Sequence, residues 1–199
     1  MKKIFTILCA GILTLGLSAQ TDAGGWYLDA NLSNLNYSSE KLTSIDVDGT
    51  SATLSSDEKK ADSDLNFGVA AGYFLMDNLL GGLMINMENG TTGSSGATDN
   101  TFKFGPMIRY YIADIGVFGQ LSYVMGSNTT NSGGTGATDY KTSGSDLGIG
   151  IGYAVMLSDN VSLNPMFSYN MKSFNNKDAK MTMKMSGMSL GATLSIHMF

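Results

Sequence analysis

Few side chains in this sequence have the chemistry that catalysis or metal binding requires. His197 is the only histidine, and the only cysteine is Cys9. Methionines at 181, 183 and 185 could offer soft thioether ligands to copper, but we interpret them as flexible side chains exposed to lipid. Asp46, Asp48 and Gly49 lack the rest of a calcium-binding loop and fit a turn better. We therefore predict no catalytic, cofactor-binding or metal-binding residues.

Five charged residues lie within predicted β-strands and are candidates for ion pairs: Asp29, Glu88, Lys103, Arg109 and Asp146. We predict that they pair with one another on the polar faces of their strands, because an unpaired buried charge is costly. The segments at 79–88 and 101–112 are expected to pair as an antiparallel hairpin in which the two residue numbers of each pair add up to 191. This register would place Glu88 opposite Lys103 and Gly82 opposite Arg109. The two aspartates are further candidate partners. The alternative is that Lys103 and Asp146 lie at solvated strand ends, where ion pairs contribute little.

The first 19 residues are typical of a secretory signal peptide. Lys2 and Lys3 precede an apolar stretch at 4–17, and Ser18 and Ala19 follow it. The stretch is shorter than the ~20 residues that a membrane-spanning helix needs. Cys9 has no small residue before it, which argues against lipidation. We predict cleavage after Ala19, so that residues 20–199 form one domain without cysteine and hence without disulfides.

Charge and hydropathy exclude two classes of protein. Loss of Lys2 and Lys3 leaves 10 of the 12 basic residues against 17 acidic ones, which argues against a nucleic-acid partner. No later segment approaches 18 consecutive apolar residues, which excludes a helical membrane protein.

Apolar residues instead recur with a period of two, as in a β-strand with one apolar face. The pattern is clearest where Leu147, Ile149 and Ile151 alternate with Gly148 and Gly150. It predicts eight strands, at about 26–32, 64–75, 79–88, 101–112, 115–125, 145–156, 161–171 and 181–199. In the last strand the alternation changes parity, which predicts a β-bulge near Ser186 and Gly187 and leaves Phe199 out of step with Ile196.

The connections alternate in length. Those at 76–78, 113–114 and 157–160 are short, whereas those at 38–63, 89–100, 126–144 and 172–180 are long and polar. Short periplasmic turns and long external loops are typical of outer-membrane barrels. Aromatic residues fall at both ends of the strands and predict two girdles. The periplasmic one contains Trp26, Tyr73, Phe74, Tyr110, Tyr111, Tyr153 and Phe199, and the outer one contains Tyr37, Phe67, Phe102, Phe104, Tyr123, Phe167 and Tyr169.

The polar strand faces decide between a soluble and a membrane barrel. They are rich in Gly, Ser and Asn rather than in the Lys and Glu that a water-exposed face carries. Small residues suit the crowded interior of an eight-stranded barrel, so the apolar faces must point outward into lipid. We predict an all-β fold, an eight-stranded antiparallel up-and-down transmembrane β-barrel with a filled interior and no open pore.

The first strand, Gly25-Trp-Tyr-Leu-Asp-Ala30, and the repeated strand-turn pattern around Asp77, Asp114 and Asp159 resemble the small outer-membrane β-barrel proteins, the OmpA-barrel, OmpX and opacity-protein-like group. The resemblance implies residence in the bacterial outer membrane among its lipids. It also implies that periplasmic chaperones and the barrel-assembly machinery act during biogenesis, with Phe199 as the assembly signal.

Three functions follow as hypotheses. The first is a non-enzymatic barrel with a structural or surface-interaction role through its external loops, for an extracellular ligand that the sequence does not identify. The second is a narrow porin-like transporter of ions or small apolar molecules. The third is a lipid A-modifying enzyme; the resemblance implies that this needs a histidine near the outer leaflet, whereas His197 falls at the periplasmic end.

Lysines in the external segments suggest a lipid partner. Lys141, Lys172, Lys177 and Lys180 could contact the phosphates of lipopolysaccharide-type lipids. The alternative is that they serve only the solubility of the loops.

Overall fold

The computed structural model describes residues 21–31, 37–47, 50–52, 65–92, 97–112, 115–131, 139–176 and 180–198. These residues form eleven β-strands: β1 (Trp26–Asn31), β2 (Tyr37–Val47), β3 (Thr50–Ala52), β4 (Leu65–Met76), β5 (Leu79–Thr92), β6 (Ala97–Tyr111), β7 (Val117–Asn131), β8 (Asp139–Tyr153), β9 (Val155–Ser158), β10 (Val161–Asn176) and β11 (Met181–Met198). Within these ranges, no helix has the length and apolar character needed to cross a membrane.

Eight of the strands close into an antiparallel ring, in the order β1, β4, β5, β6, β7, β8, β10, β11. The ring closes between its first and last members, from Trp26 opposite Met198 to Asn31 opposite Thr193. After a break at Ala154, β9 continues β8 along β10. Farther along β11, β2 takes over from β1, from Tyr37 opposite Leu190 to Val47 opposite Met181. The predicted up-and-down barrel is confirmed.

The strands extend farther than predicted on the side of the long connections. Most of the predicted loop at 126–144 belongs to β7 and β8, and the predicted loop at 38–63 contains β2 and β3. Those loop boundaries are wrong because Ser, Thr, Asn and Gly give no apolar alternation, whereas a ladder needs only backbone hydrogen bonds. A membrane-spanning strand needs about 9–11 residues. The 16 residues of β10 and 18 of β11 therefore reach well beyond a bilayer.

The apolar strand faces point out of the barrel. Leu83 is 64% exposed and Ile151 59%, whereas Leu80 and Phe118 on the opposite faces are fully buried. This arrangement confirms the orientation on which the membrane interpretation depends. The prediction that Phe74 and Tyr111 belong to the periplasmic aromatic girdle is wrong, because both rings are buried inside the barrel.

The predicted bulge in the last strand is also wrong. The register between β10 and β11 is unbroken from Val161 opposite Ile196 to Asn176 opposite Met181. The only shift along β11 is in its pairing with β2, between Lys184 and Met185, where β2 carries the extra residue. Met181, Met183 and Met185 are odd-numbered like Ser195, whose side chain is buried inside the barrel. The three methionines therefore lie on the inward face of β11 and do not face lipid, contrary to the prediction. Phe199 lies outside the described residues.

Two glycines permit close approach between β6 and β7. A Cβ atom added at Gly105 would overlap the carbonyl oxygen of Tyr123, and one added at Gly126 would overlap that of Phe102. Glycine, which has no Cβ atom, allows the two backbones to come this close.

Candidate functional site: the filled lumen

Arg109 is the centre of the polar interior. Its Nη2 atom lies 3.0 Å from Oδ2 of Asp29, and Nε and Nη2 donate to Oε1 of Gln120 at 2.9 and 2.6 Å. Nη1 donates to the hydroxyl oxygens of Tyr27 and, at 3.2 Å, Tyr111. The guanidinium group is only 2% exposed, so these contacts replace the water that it would otherwise bind.

Aromatic rings cover the guanidinium group on two sides. Its carbon lies 4.3 Å from the ring centroid of Phe118 and 5.1 Å from that of Tyr27. Desolvated cation–π contacts of this kind are worth about 2 kcal/mol. The charge is therefore compensated both by a carboxylate and by the faces of two rings.

The network continues across the strands that close the ring. The hydroxyl of Tyr27 donates to Oδ2 of Asp29 at 2.7 Å and lies 2.7 Å from Oγ of Ser195. Oγ of Ser195 in turn accepts a hydrogen bond from the side-chain amide of Asn164. The network thereby joins β1, β6, β7, β10 and β11, so it depends on the closure of the barrel.

Below Arg109, toward the short turns, the lumen is filled by rings. The centroids of Phe74 and Tyr111 are 5.9 Å apart, and those of Tyr111 and Phe118 are 5.5 Å apart. His197 lies 5.3 Å from Tyr27 and 6.3 Å from Phe74, and its Nε2 is 2.9 Å from Oγ of Ser162. His197 is fully buried in this cluster, where it serves as a packing residue.

The outer half of the lumen holds a second ion pair. Nζ of Lys103 lies 3.9 Å from Oδ2 of Asp146, with side chains 3% and 15% exposed, and 5.3 Å from the ring centroid of Phe174. The predicted register of β5 and β6 is wrong by two residues, since paired positions sum to 189: Glu88 is opposite Thr101, and Asn86 is opposite Lys103. A shift of the strand pairing by two residues leaves every side chain on the same face of the sheet, so the alternation of apolar and polar residues cannot reveal it.

Between the two ion pairs lies a cavity of about 90 Å³ that is lined by both polar and apolar side chains. Its lining includes Asn86, Gln120, Ser122, Ser168 and Asn170. The volume is enough for a few water molecules, and the amide and hydroxyl groups are suitable partners for them. The outer half of the lumen therefore contains polar side chains and space for water, whereas the other half is filled by aromatic side chains.

Most aromatic residues of the predicted girdles lie on the outer surface. Exposed rings belong to Trp26, Tyr73, Tyr110, Phe102, Phe104, Tyr123, Phe167 and Tyr169, whereas Tyr153 is only half-buried. Trp26 and Tyr73 pack edge to face with centroids 5.3 Å apart. The position of each ring relative to the membrane interfaces stays a prediction.

The four lysines that were predicted to contact lipid phosphates differ in their exposure to solvent. Lys141 and Lys180 are exposed, and Lys177 lies outside the described residues. Lys172 is half-buried and pairs in the ladder with Asp146, so it lies on the strand face that turns toward the lumen. Lys184 is exposed as well. Contact of these lysines with lipid headgroups stays a prediction.

Sequence reasoning found the charges but missed the neutral residues that bind them. Tyr27 shares the parity of Asp29 in β1, and Gln120 is opposite Arg109 in the ladder of β6 and β7. The parity of Tyr27 could have been recognised from the sequence. The pairing of Gln120 could not, because it depends on a register that alternation leaves open.

A closed eight-stranded barrel with an apolar exterior and a filled lumen is the architecture of an integral outer-membrane protein. The chain belongs to the family described as outer membrane protein beta-barrel domain, whose sequence profile matches residues 5–195. Membership of this family indicates a location in the bacterial outer membrane.

Three solved structures of small barrels match this chain. Neisserial surface protein A (NspA) is 15% identical with a TM-score of 0.50, and the match covers 87% of this chain and 98% of that one. Ail, the attachment invasion locus protein of Yersinia pestis, is 10% identical with a TM-score of 0.45, covering 86% and 99%. The N-terminal β-barrel domain of Pseudomonas aeruginosa OprF is 11% identical with a TM-score of 0.43, covering 88% and 98%. No curated protein sequence matches this chain significantly.

Proposed function

We propose that this protein is a non-enzymatic outer-membrane barrel with a structural and surface-interaction role, and that its lumen does not conduct ions. The observation that carries the proposal is the filling around Arg109. Tyr27, Phe74, Tyr111 and Phe118 are at most 1% exposed and pack around or below a guanidinium group that is itself only 2% exposed.

The interaction role is supported by the parts of the strands that extend beyond a bilayer. The outer residues of β7, Ser127 to Asn131, are hydroxyl or amide residues and only half-buried, and Ser143 on the adjacent strand is exposed. A surface of this composition can donate and accept hydrogen bonds with sugars or polar peptides. The extracellular ligand would bind to this sheet extension.

Conductance of the refolded protein in planar lipid bilayers tests the sealed lumen. We expect no steady single-channel steps from the natural sequence. The variant Tyr111→Ala with Phe118→Ala removes two of the rings, and its current would show that the assay detects an opened lumen. Steady steps from the natural sequence would favour the narrow transporter instead.

We further propose that exposed lysines contact phosphates of lipopolysaccharide-type lipids. Lys141, Lys180 and Lys184 are exposed on the outer part of the barrel. Changing the three to glutamine should weaken binding to lipid A vesicles and flatten its salt dependence. Lys172→Gln is the matched control, because that lysine is half-buried on the lumen face. Unchanged affinity in the triple variant would remove the idea.

The enzymatic alternative has little support in the geometry. Ser162 and His197 are within hydrogen-bond distance, but both are fully buried among aromatic rings, where no acyl chain can reach them. We propose that expression leaves the mass of lipid A unchanged. A mass shift equal to one acyl chain would overturn this part of the proposal.

Biogenesis follows the secretory route in this proposal. Cleavage after Ala19 would be detected by N-terminal sequencing of the protein extracted from outer membranes. Removal of Phe199 should lower the yield of assembled barrel if the assembly machinery and periplasmic chaperones act on that terminus. Equal yields would show that the signal lies elsewhere.

A further inference from the structure

We propose that the inner face of β8 forms part of a binding site for a small uncharged molecule that both donates and accepts hydrogen bonds, of which a primary amide is the simplest. The site is the cavity of about 90 Å³ between the two ion pairs. The proposal is independent of the surface-interaction role, because it concerns the lumen and leaves the aromatic rings below the cavity in place.

The cavity lies over two glycines of β8 that have polar residues on both neighbouring strands. In the ladders with β7 and β10, each glycine is opposite one polar residue on either side: Ser122 and Asn170 for Gly148, and Gln120 and Ser168 for Gly150. All six residues line the cavity. They form a trough, with the two glycines as its floor and hydrogen-bonding side chains as its walls.

The open space is specific to this part of β8, because the next glycine along the strand is covered. A Cβ atom added at Gly152 would overlap the ring of Phe118. One added at Gly148 would instead lie 2.7 Å from Oγ of Ser122 and 3.0 Å from Oδ1 of Asn170. Two hydrogen-bonding oxygens from opposite walls of the trough therefore converge over a single glycine.

The side-chain amides in the walls are held in defined orientations. Oε1 of Gln120 accepts two hydrogen bonds from Arg109, at 2.9 and 2.6 Å, so the oxygen is turned away from the trough. The amide nitrogen makes only a long contact, 4.0 Å, with the weak acceptor Sδ of Met84. On the opposite wall, Asn170 donates through Nδ2 to Oγ of Ser189 at 3.0 Å, which leaves Oδ1 facing the floor. The trough thus offers a donor on one wall and an acceptor on the other.

The fixed charges around the cavity favour an uncharged ligand. Asp146 lines the cavity, so an anion would be repelled by its carboxylate. Nζ of Lys103 lies 3.9 Å from that carboxylate, and Lys172 is opposite Asp146 in the ladder, so a cation would be repelled by two lysines. Arg109 and Asp29 compensate each other at 3.0 Å. A charge added to this enclosed space would lack a counter-charge of its own, which is costly.

The cavity also has an apolar side. Val124 is buried, and Met84 and Met166 line the same space. Sδ of Met166 lies 3.0 Å from the position of a Cβ atom added at Gly150, so this flexible side chain borders the floor. A ligand with one polar end and one small apolar end, such as acetamide, matches the lining in both respects. It can enter from the outer end, where the side chain of Asp146 is 15% exposed.

Titration of the refolded, isotopically labelled protein with acetamide, followed by NMR, tests the proposal. We expect saturable shifts of the side-chain amide signals of Gln120 and Asn170, with a dissociation constant on the order of millimolar for so small a ligand. Acetate and acetamidinium have nearly the same shape but carry a charge, and each should bind about tenfold more weakly or worse. Equal affinity for the three ligands, or shifts that rise without saturating, would overturn the proposal.

Two variants and a control locate the bound ligand. Gly148→Ala should weaken acetamide binding about tenfold or more, because the added methyl group occupies the space between the two oxygens. Asn170→Leu approximately keeps the volume but removes the acceptor, and should weaken binding even if Gly148→Ala does not refold. Gly119→Ala is the matched control and should leave the affinity unchanged, because a Cβ atom at that position has no atom within 4 Å. Unchanged affinity in the trough variants would show that the two glycines serve packing only.

Discussion

Replacing Arg109 by methionine should destabilise the barrel by about 3–5 kcal/mol, the usual cost of breaking a buried ion pair. Methionine approximates the length of the aliphatic part of the side chain but lacks the charge. The carboxylate of Asp29, 4% exposed, then loses the guanidinium group 3.0 Å away and keeps a charge that neither water nor another cation compensates. Gln120 and Tyr27 lose hydrogen bonds as well, which adds about 1–3 kcal/mol if they stay unsatisfied.

A double-mutant cycle isolates the contribution of the pair. Asp29→Asn alone leaves the guanidinium charge uncompensated and should also be costly. The double variant contains neither charge, so its cost should be less than the sum of the single costs by about 2–3 kcal/mol. Lys103→Met is the comparison, and its cost should be about 1 kcal/mol, because Asp146 is farther away at 3.9 Å and more exposed.

Unfolding in urea of the protein folded into phospholipid vesicles provides the measurement. Trp26 is the only tryptophan and is 60% exposed on the lipid-facing side, so its emission changes when the strand leaves the membrane. The reasoning is refuted if Arg109→Met costs less than 1 kcal/mol, or if the two single costs simply add.

Three further changes test the packing, the lipid-facing surface and the buried ring cluster. Gly126→Ala should destabilise the barrel by about 1–3 kcal/mol, because the added Cβ would overlap a carbonyl oxygen of the adjacent strand. Gly119→Ala is the control and should change stability by less than about 0.5 kcal/mol, because a Cβ at this position would have no atom within 4 Å. Leu83→Lys places a charge on the lipid-facing side near the middle of β5 and should lower the free energy of unfolding by about 2–4 kcal/mol. Asn89→Lys, near the outer end of the same strand, should lower it by only about 0–1 kcal/mol. Equal losses would contradict the inferred position of β5 in the membrane. His197→Ala should cost about 2–4 kcal/mol by leaving a cavity among the rings, and an unchanged urea midpoint would show that the cluster is loosely packed.

The alternation of residue types was enough to predict the ring of eight strands and its orientation. The face of β8 that contains Ile149 and Ile151 is exposed, and Gly152 on the opposite face leaves room for the inward ring of Phe118. A period of two records only which face a residue is on. It predicted Arg109 as an interior residue and could not determine which carboxylate would reach it.

The errors occurred where that signal is weak or ambiguous. Adjacent aromatic residues, Tyr73 with Phe74 and Tyr110 with Tyr111, cannot both face lipid, and one of each pair lies inside the barrel. In the outer ends of the strands both faces are polar, so neither the length of β7 nor the strand β2 was visible as a pattern. Shifts of two residues between neighbouring strands preserve all faces and depend on turn geometry that composition does not encode.

The distribution of the Arg109 network among distant strands has a consequence for the order of assembly. Its carboxylate partner is 80 residues earlier in the chain, and the serine that supports Tyr27 is 168 residues after that tyrosine. A half-inserted sheet would leave the guanidinium group facing hydrocarbon without its counter-charge, an expensive state in a bilayer. Partly built intermediates are thereby disfavoured, and the first and last strands gain a shared electrostatic reason to meet. The same side chain that seals the finished cylinder thus makes its formation cooperative.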